Sequence, residues 1–239
     1  MSDRNELEIE VPGTPEQVWE AIATGPGISA WFMPAEVDPD AMTITHHHGP
    51  DMSGTGAITA YEPPHRFGFD DEGGATEFLV EAKSGGTCVV RIVFSGFAGA
   101  EEGWTAALRA LRLYLEHFPG QEAAVIVAGG VVEGPAARAW AELLAALGLG
   151  EPVVGERVSA GGPGVPPLAG VVTDREDTMA TLVVDDPAPG IAFVGVGGPS
   201  EDQVFAFLRA QYFGDTREAV VARDDPAWRA LLEEKLAKV

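Results

Sequence analysis

Residues 88–118 read CVVRIVFSGFAGAEEGWTAALRALRLYLEHF, and two periods meet in this stretch. From Cys88 the pattern has a repeat of two: Val89, Arg91 and Val93 alternate with Val90, Ile92 and Phe94 along a β-branched run, which predicts a strand. Ser95-Gly96 breaks it, and Gly99 and Gly103 loosen the link. The repeat then changes. Trp104, Leu108, Leu111 and Leu115 recur at spacings of three and four, one face of a long helix, while Arg109, Arg112 and Glu116 fall largely on the other side. A helix with so continuous an apolar stripe must lie on something apolar. The expectation is that it crosses the open face of a curved antiparallel sheet.

Upstream residues supply that sheet. Leu7, Ile9 and Val11 alternate with Glu6, Glu8 and Glu10, a strand with one wet face that Pro12-Gly13 ends. Thr14 then reads as a helix cap, with Pro15 at the first helical position and Gln17 as the capping-box partner. Gly25-Pro26-Gly27 reads as an interruption. A short second helix is expected to carry Ile28, Trp31 and Phe32 as far as Pro34. Strands are predicted at 42–47, 56–61, 66–69, 76–82 and 87–94. The turn signals between them are Gly49-Pro50-Asp51, Pro63-Pro64, Asp71 to Gly74 and Ser84-Gly85-Gly86. Short consecutive strands with tight links favour an antiparallel meander.

Three segments carry a family resemblance. Ser95-Gly96-Phe97 followed by Glu102-Gly103-Trp104 is one; Thr14-Pro15-Glu16-Gln17-Val18-Trp19 with Trp31-Phe32 is the second; Gly56-Ala57-Ile58 running to Glu62-Pro63-Pro64 is the third. In this order they resemble the SRPBCC superfamily, the START-like or birch-pollen-allergen-like domains. The branch is the one named for the activator of a heat-shock chaperone's ATPase. The resemblance covers roughly residues 6–118. It implies an α+β helix-grip fold, a curved antiparallel sheet wrapped around a long C-terminal helix. It also implies an apolar cavity between the two, lined by some of Trp31, Phe32, Phe67, Phe69, Phe78, Arg91, Phe94, Trp104, Leu108 and Leu111.

After Pro119-Gly120 the order of elements starts again: a strand at 123–127, then a helix opened by Gly134-Pro135, striped by Trp140, Leu143, Leu144 and Leu147 and stopped by Gly148. Past a Gly- and Pro-rich loop, strands are expected at 168–173, 179–184 and 191–196. Around Phe205, Phe207 and Leu208 a further strand is preferred for its aromatic density and the following Gly214, the alternative being a helix over 204–212 capped from Ser200 to Gln203. A last helix is read with Asp225 as cap, Pro226 at its first position, and Trp228, Leu231, Leu232 and Leu236 as its stripe. The expectation is a START-like domain at 1–119 and a degenerate second copy at 120–239.

Composition bounds the function. The 239 residues carry a net charge of −22, with 19 acidic against 6 basic residues up to Gly120 (−13) and 18 against 9 after it (−9). Acidity in both halves argues against nucleic acid and anionic membranes, which need a basic footprint. No apolar run is long enough for a transmembrane helix. The acidic start MSDRNELEIE has no apolar signal core, and a cytoplasmic protein is expected. The lone cysteine, Cys88, sits in a strand pattern and reads as a buried, inert thiol.

Chemistry-bearing patterns are few. In His46-His47-His48, His46 and His48 would share a strand face and could join Asp51 around a metal. A solvated strand end beside Gly49-Pro50 is the favoured reading, and no metal or cofactor is expected. Gly195-Val196-Gly197-Gly198 lacks the third glycine of a dinucleotide loop, since Ser200 stands there, and reads as a turn. Arg91, amid apolar strand residues, either faces the cavity and holds a ligand's polar end or snorkels at an edge. Glu77 and Glu81 raise the same question and read as an exposed acidic face. With no acid–base pair to name, the expected function is non-catalytic binding of a small hydrophobic molecule, polycyclic or polyketide-like in shape. The alternatives are an aromatase/cyclase-type enzyme and a chaperone-associated module with a protein partner.

Overall fold

The computed structural model describes residues 4–49, 52–72, 74–95, 100–197 and 203–236, without the side chains of His48, Gly49, Met52, Ala100 and Glu102. The chain divides into two compact units, Met1–Glu122 and Ala123–Val239.

The first unit opens with strand β1 (Asn5–Pro12), whose acidic residues are exposed and whose Val11 is buried. Helix α1 (Pro15–Ala23) follows. The Thr14 hydroxyl accepts from the Gln17 backbone N–H, and the Gln17 side chain accepts from the Thr14 N–H, closing the capping box. Gly25-Pro26-Gly27 does not interrupt the chain as the sequence suggested. It starts α2 (Gly25–Ser29), because the Thr24 hydroxyl accepts from the Gly27 N–H at 3.0 Å and Pro26 suits the first turn. Trp31 and Phe32 lie past the end of α2, not in it.

Strands β2 (Ala35–Asp38), β3 (Thr43–Gly49), β4 (Met52–Glu62), β5 (Arg66–Asp71), β6 (Gly74–Lys83) and β7 (Thr87–Phe94) form an antiparallel meander, which β1 completes by pairing with β7. The seven-stranded order is β1-β7-β6-β5-β4-β3-β2. Strand β2 was not legible in advance; at four residues it is too short to show a period. Register puts like with like across the concave face. Leu7 stands opposite Ile92, Ile92 opposite Phe78, and Phe78 opposite Phe67; in the next row are Phe94, Thr76, Phe69 and Ile58. Helix α3 (Ala100–His117) lies on this face with Ala107, Leu108, Ala110, Leu111, Tyr114 and Leu115 buried. Arg112 is turned outward and bonds Glu116 at 2.7 Å.

The second unit repeats this plan with one strand and one helix fewer. Strand β8 (Ala124–Glu133), α4 (Ala136–Leu147), β9 (Arg157–Ser159), β10 (Ala169–Glu176), β11 (Met179–Asp186), β12 (Gly190–Gly197), β13 (Gln203–Tyr212) and α5 (Arg217–Leu236) build a sheet ordered β8-β13-β12-β11-β10-β9. In both sheets the first strand pairs with the last, and the rest run as a meander. The molecule is thus two helix-grip layers in tandem, each an antiparallel sheet with a C-terminal helix.

Three details differ from the sequence expectation. Strand β8 runs on through Gly129-Gly130, since a Cβ at Gly129 would collide with the Ala206 carbonyl of β13 and the strands come close there. Strand β9 is a three-residue piece with no sequence signal. Helix α5 starts at Arg217, not at Pro226, which sits exposed within it. The loop at Gly198 and Ser200 lies outside the described residues. In the second core, Trp140, Leu143, Leu144 and Leu147 of α4 and Trp228, Leu231, Leu232 and Leu236 of α5 pack with Leu182, Val194, Leu208 and Tyr212.

Candidate functional site

The first unit gathers aromatic rings where α3 begins. Trp31 is placed by its indole N–H, which donates to the Ala21 carbonyl of α1 at 2.9 Å. Its ring meets Phe78 edge-on at 6.3 Å and Phe32 at 5.5 Å. Trp104, in the first turns of α3, stacks on Phe32 with centroids 5.3 Å and planes 17° apart, and touches Phe78 at 5.8 Å and Phe94 at 6.3 Å. Trp31, Phe69, Phe78 and Phe94 are buried, while Phe32 and Trp104 are half-buried and form the rim.

Beneath that rim is a cavity of about 10 Å3, lined by Ile22, Ile28, Trp31, Phe32, His46, Phe69, Phe78 and Trp104. That volume is about what one water needs. The space is therefore closed by its own rings. Two roomier depressions, of about 360 and 310 Å3, lie on the outer face of the same sheet. Their walls carry charges that pair with one another: Arg66 holds Glu77 at 2.6 Å and Glu62 at 3.0 Å, and Arg4 reaches Glu77 at 3.4 Å. The small aromatic cavity is the better site, since apolar walls with one convergent polar group are what a small ligand needs.

That polar group is His46, only 5% exposed at its side chain. Its Nδ1 lies 3.3 Å from Asp71 Oδ2, and its ring is edge-on to Phe32 at 6.1 Å and tilted on Phe69 at 5.4 Å. His46 on β3 and Asp71 on β5 are separated by β4. They meet because Gly56 of β4 has no side chain: a Cβ there would come 2.6 Å from Asp71 Cβ. His47 points the other way and lies 3.5 Å from Glu36. His48 and Asp51, read as possible metal ligands with His46, lie outside the described side chains. Among the described residues no group of three His, Cys, Asp or Glu is placed to hold a metal ion.

Of the residues expected to line a cavity, Trp31, Phe32, Phe69, Phe78 and Trp104 come together here. Phe94 backs Trp104. Phe67 packs further along the sheet, edge-on to Trp19 at 6.3 Å and Tyr61 at 6.2 Å. Leu108 and Leu111 are buried farther along α3 and do not line the cavity. Arg91 corrects the sequence expectation. It shares the outer face of β7 with Val89 and Val93, stands 3.3 Å from Glu6 of β1, and faces one of the charged depressions. The alternation itself put it there: the face of Val90, Ile92 and Phe94 is the more deeply buried one, though Val89 and Val93 are buried as well. Glu77 is on the outer face too, in the Arg66 cluster. Cys88 is buried at the start of β7, its thiol 3.4 Å from the Gly13 carbonyl, and burial raises its pKa.

Ile22 and Ile28 were not foreseen as lining, and a histidine was expected only as one of two candidates, with Arg91, for orienting a ligand's polar end. A usable signal existed in Ile44 and His46, two apart on β3 and so on one face, with Ile44 certain to point inward.

No protein-family model and no curated protein matches this sequence. Solved structures do resemble the fold. One is the di-domain ARO/CYC BexL from the BE-7585A biosynthetic pathway, 14% identical, covering 99% of this chain and 94% of its own, with a TM-score of 0.45. Another is DynU16, described as a putative protein in the dynemicin biosynthetic locus, 15% identical over 99% of this chain and 97% of its own, TM-score 0.43. The AHSA1-like protein from Aeromonas hydrophila is 22% identical over 47% of this chain and 92% of its own, TM-score 0.40. No helix among the described residues is long and apolar enough to cross a membrane.

Proposed function

We infer that this protein binds a small hydrophobic molecule, without converting it, between the start of α3 and the concave face of the first sheet. The observation that carries this reading is the half-buried pair Phe32 and Trp104, stacked over a cavity whose other walls are buried rings and the buried side chains of Ile22 and Ile28. Large aromatic side chains left partly in water at one spot, over an apolar interior, make a door. The energies favour it: covering about 200 Å2 of ligand contributes on the order of 5 kcal/mol before association costs. Unstacking Trp104 from its neighbours costs about 1–3 kcal/mol, at roughly 1 kcal/mol per ring pair. What the lining offers a guest is contact area and orientation.

The test is Trp104→Ala, with thermal melts and titration with an apolar fluorescent dye. Half-buried Trp104 should contribute less than a core tryptophan, so the loss of stability is expected at about 1–3 kcal/mol, below the 3–5 of a full core truncation. Dye affinity should rise severalfold as the door is removed. A full core-sized loss with unchanged dye binding would mean that Trp104 is packing alone and the site is absent.

A further inference from the structure

Within that pocket, and resting on the binding reading, we propose that His46 and Asp71 form the recognition pair for a ligand hydroxyl. The guest class is a flat, neutral apolar ring system bearing an O–H. The argument starts from burial. A histidine among rings, with its side chain 5% exposed, must satisfy its polar atoms within the protein or with a guest. Asp71 lies 3.3 Å from Nδ1, which favours the proton on that nitrogen. The lone pair is then on Nε2, the ring nitrogen turned away from Asp71, and no partner for Nε2 is found among the described residues. An acceptor in an apolar pocket selects a donor. A hydroxyl supplies one, whereas a carboxylate guest would meet the Asp71 charge across a single imidazole.

The walls set the rest of the guest. Phe32 and Phe69 hold the imidazole edge-on and tilted, so its plane and its Nε2 direction are fixed before a guest arrives. Phe78 and Trp31 stand at right angles to each other, and Phe32 offers Trp104 a parallel face. A flat ring that takes the place of Trp104 on Phe32 reproduces contacts already made there. His46 is the anchor that touches the ligand; Asp71 is a positioning residue acting through it, and Gly56 is what lets the two meet.

Paired titrations with 2-naphthol and naphthalene, followed by tryptophan fluorescence, test this. The wild-type protein should prefer 2-naphthol by about tenfold, the worth of one buried hydrogen bond to an oriented imidazole. In His46→Phe the two probes should bind alike. Asp71→Ala should lose most of the preference, and Asp71→Asn, which keeps an acceptor beside Nδ1, should retain part of it. Thermal melts of each variant establish that it is folded. Equal binding of both probes to the wild type, or a preference that survives His46→Phe, overturns the pair while leaving the pocket. Failure of both probes to bind removes the pocket reading and this inference with it.

Discussion

Gly56 has no side chain, yet it decides where two others go. It stands on β4 between His46 and Asp71, and its Cβ would also come 2.6 Å from the Asp70 carbonyl oxygen. Gly56→Ala should therefore separate the pair and overpack the concave face, at a cost of roughly 1–3 kcal/mol. Urea denaturation measures that cost; a stability unchanged from wild type would mean that β4 shifts to admit the methyl group. Arg91 makes the converse point. A charged residue in an apolar strand looked like a ligand contact, but its neighbours at i±2, Val89 and Val93, belong to the outer face. There it meets Glu6 from the adjacent strand. Residue type suggested the role, and the period assigned the face.

At the scale of elements, α5 is the instructive case. Asp225-Pro226 has the form of a helix start, yet the helix begins nine residues earlier. Val220, Asp224 and Trp228 fall four apart and are all buried, so the stripe runs straight through the proline. Pro226 is on the exposed side, where the carbonyl that loses its partner is solvated. Arg223 grips buried Asp224 through two bonds of 2.7 Å, which keeps that carboxylate paired inside the stripe. Pro226→Ala should restore a helical hydrogen bond and raise stability by about 1–3 kcal/mol, visible as a higher urea midpoint with unchanged slope. A lower midpoint would show that the second sheet needs the helix bent there. Helix α2 teaches the same lesson at its N-terminus: Gly-Pro-Gly reads as a break until Thr24 is seen to cap it.

At the scale of the whole molecule, the two sheets share a strand order in which the first strand closes against the last. That closure needs a long return through the meander in each half, and each unit buries its own apolar face. A fragment of residues 1–122 should accordingly fold by itself and melt in one cooperative transition with native-like circular dichroism. A fragment that stays unfolded or aggregates would show that the first unit does not stand on its own core.

The chain's own pattern determined the strand-to-helix handover at Cys88–Phe118, the capping box at Thr14, the meanders and the restart after Gly120. These rest on local periods and turn chemistry, which act between residues a few positions apart. That some of Trp31, Phe32, Phe69, Phe78 and Trp104 would line a cavity was implied by the family resemblance, not by the pattern of the chain. Only the tertiary structure decided that Trp104 closes the space it was expected to line, and that Leu108 and Leu111 lie beyond it. It alone made a pair of His46 and Asp71, 25 positions apart in the chain. In sequence His46 belongs to a polar run and Asp71 to a turn signal. What joins them is the lateral order of β3, β4 and β5 and the missing side chain of Gly56. Strand period says which way a side chain points; which strand stands beside which, and what fills the gap between them, is settled when the sheet closes around its helix.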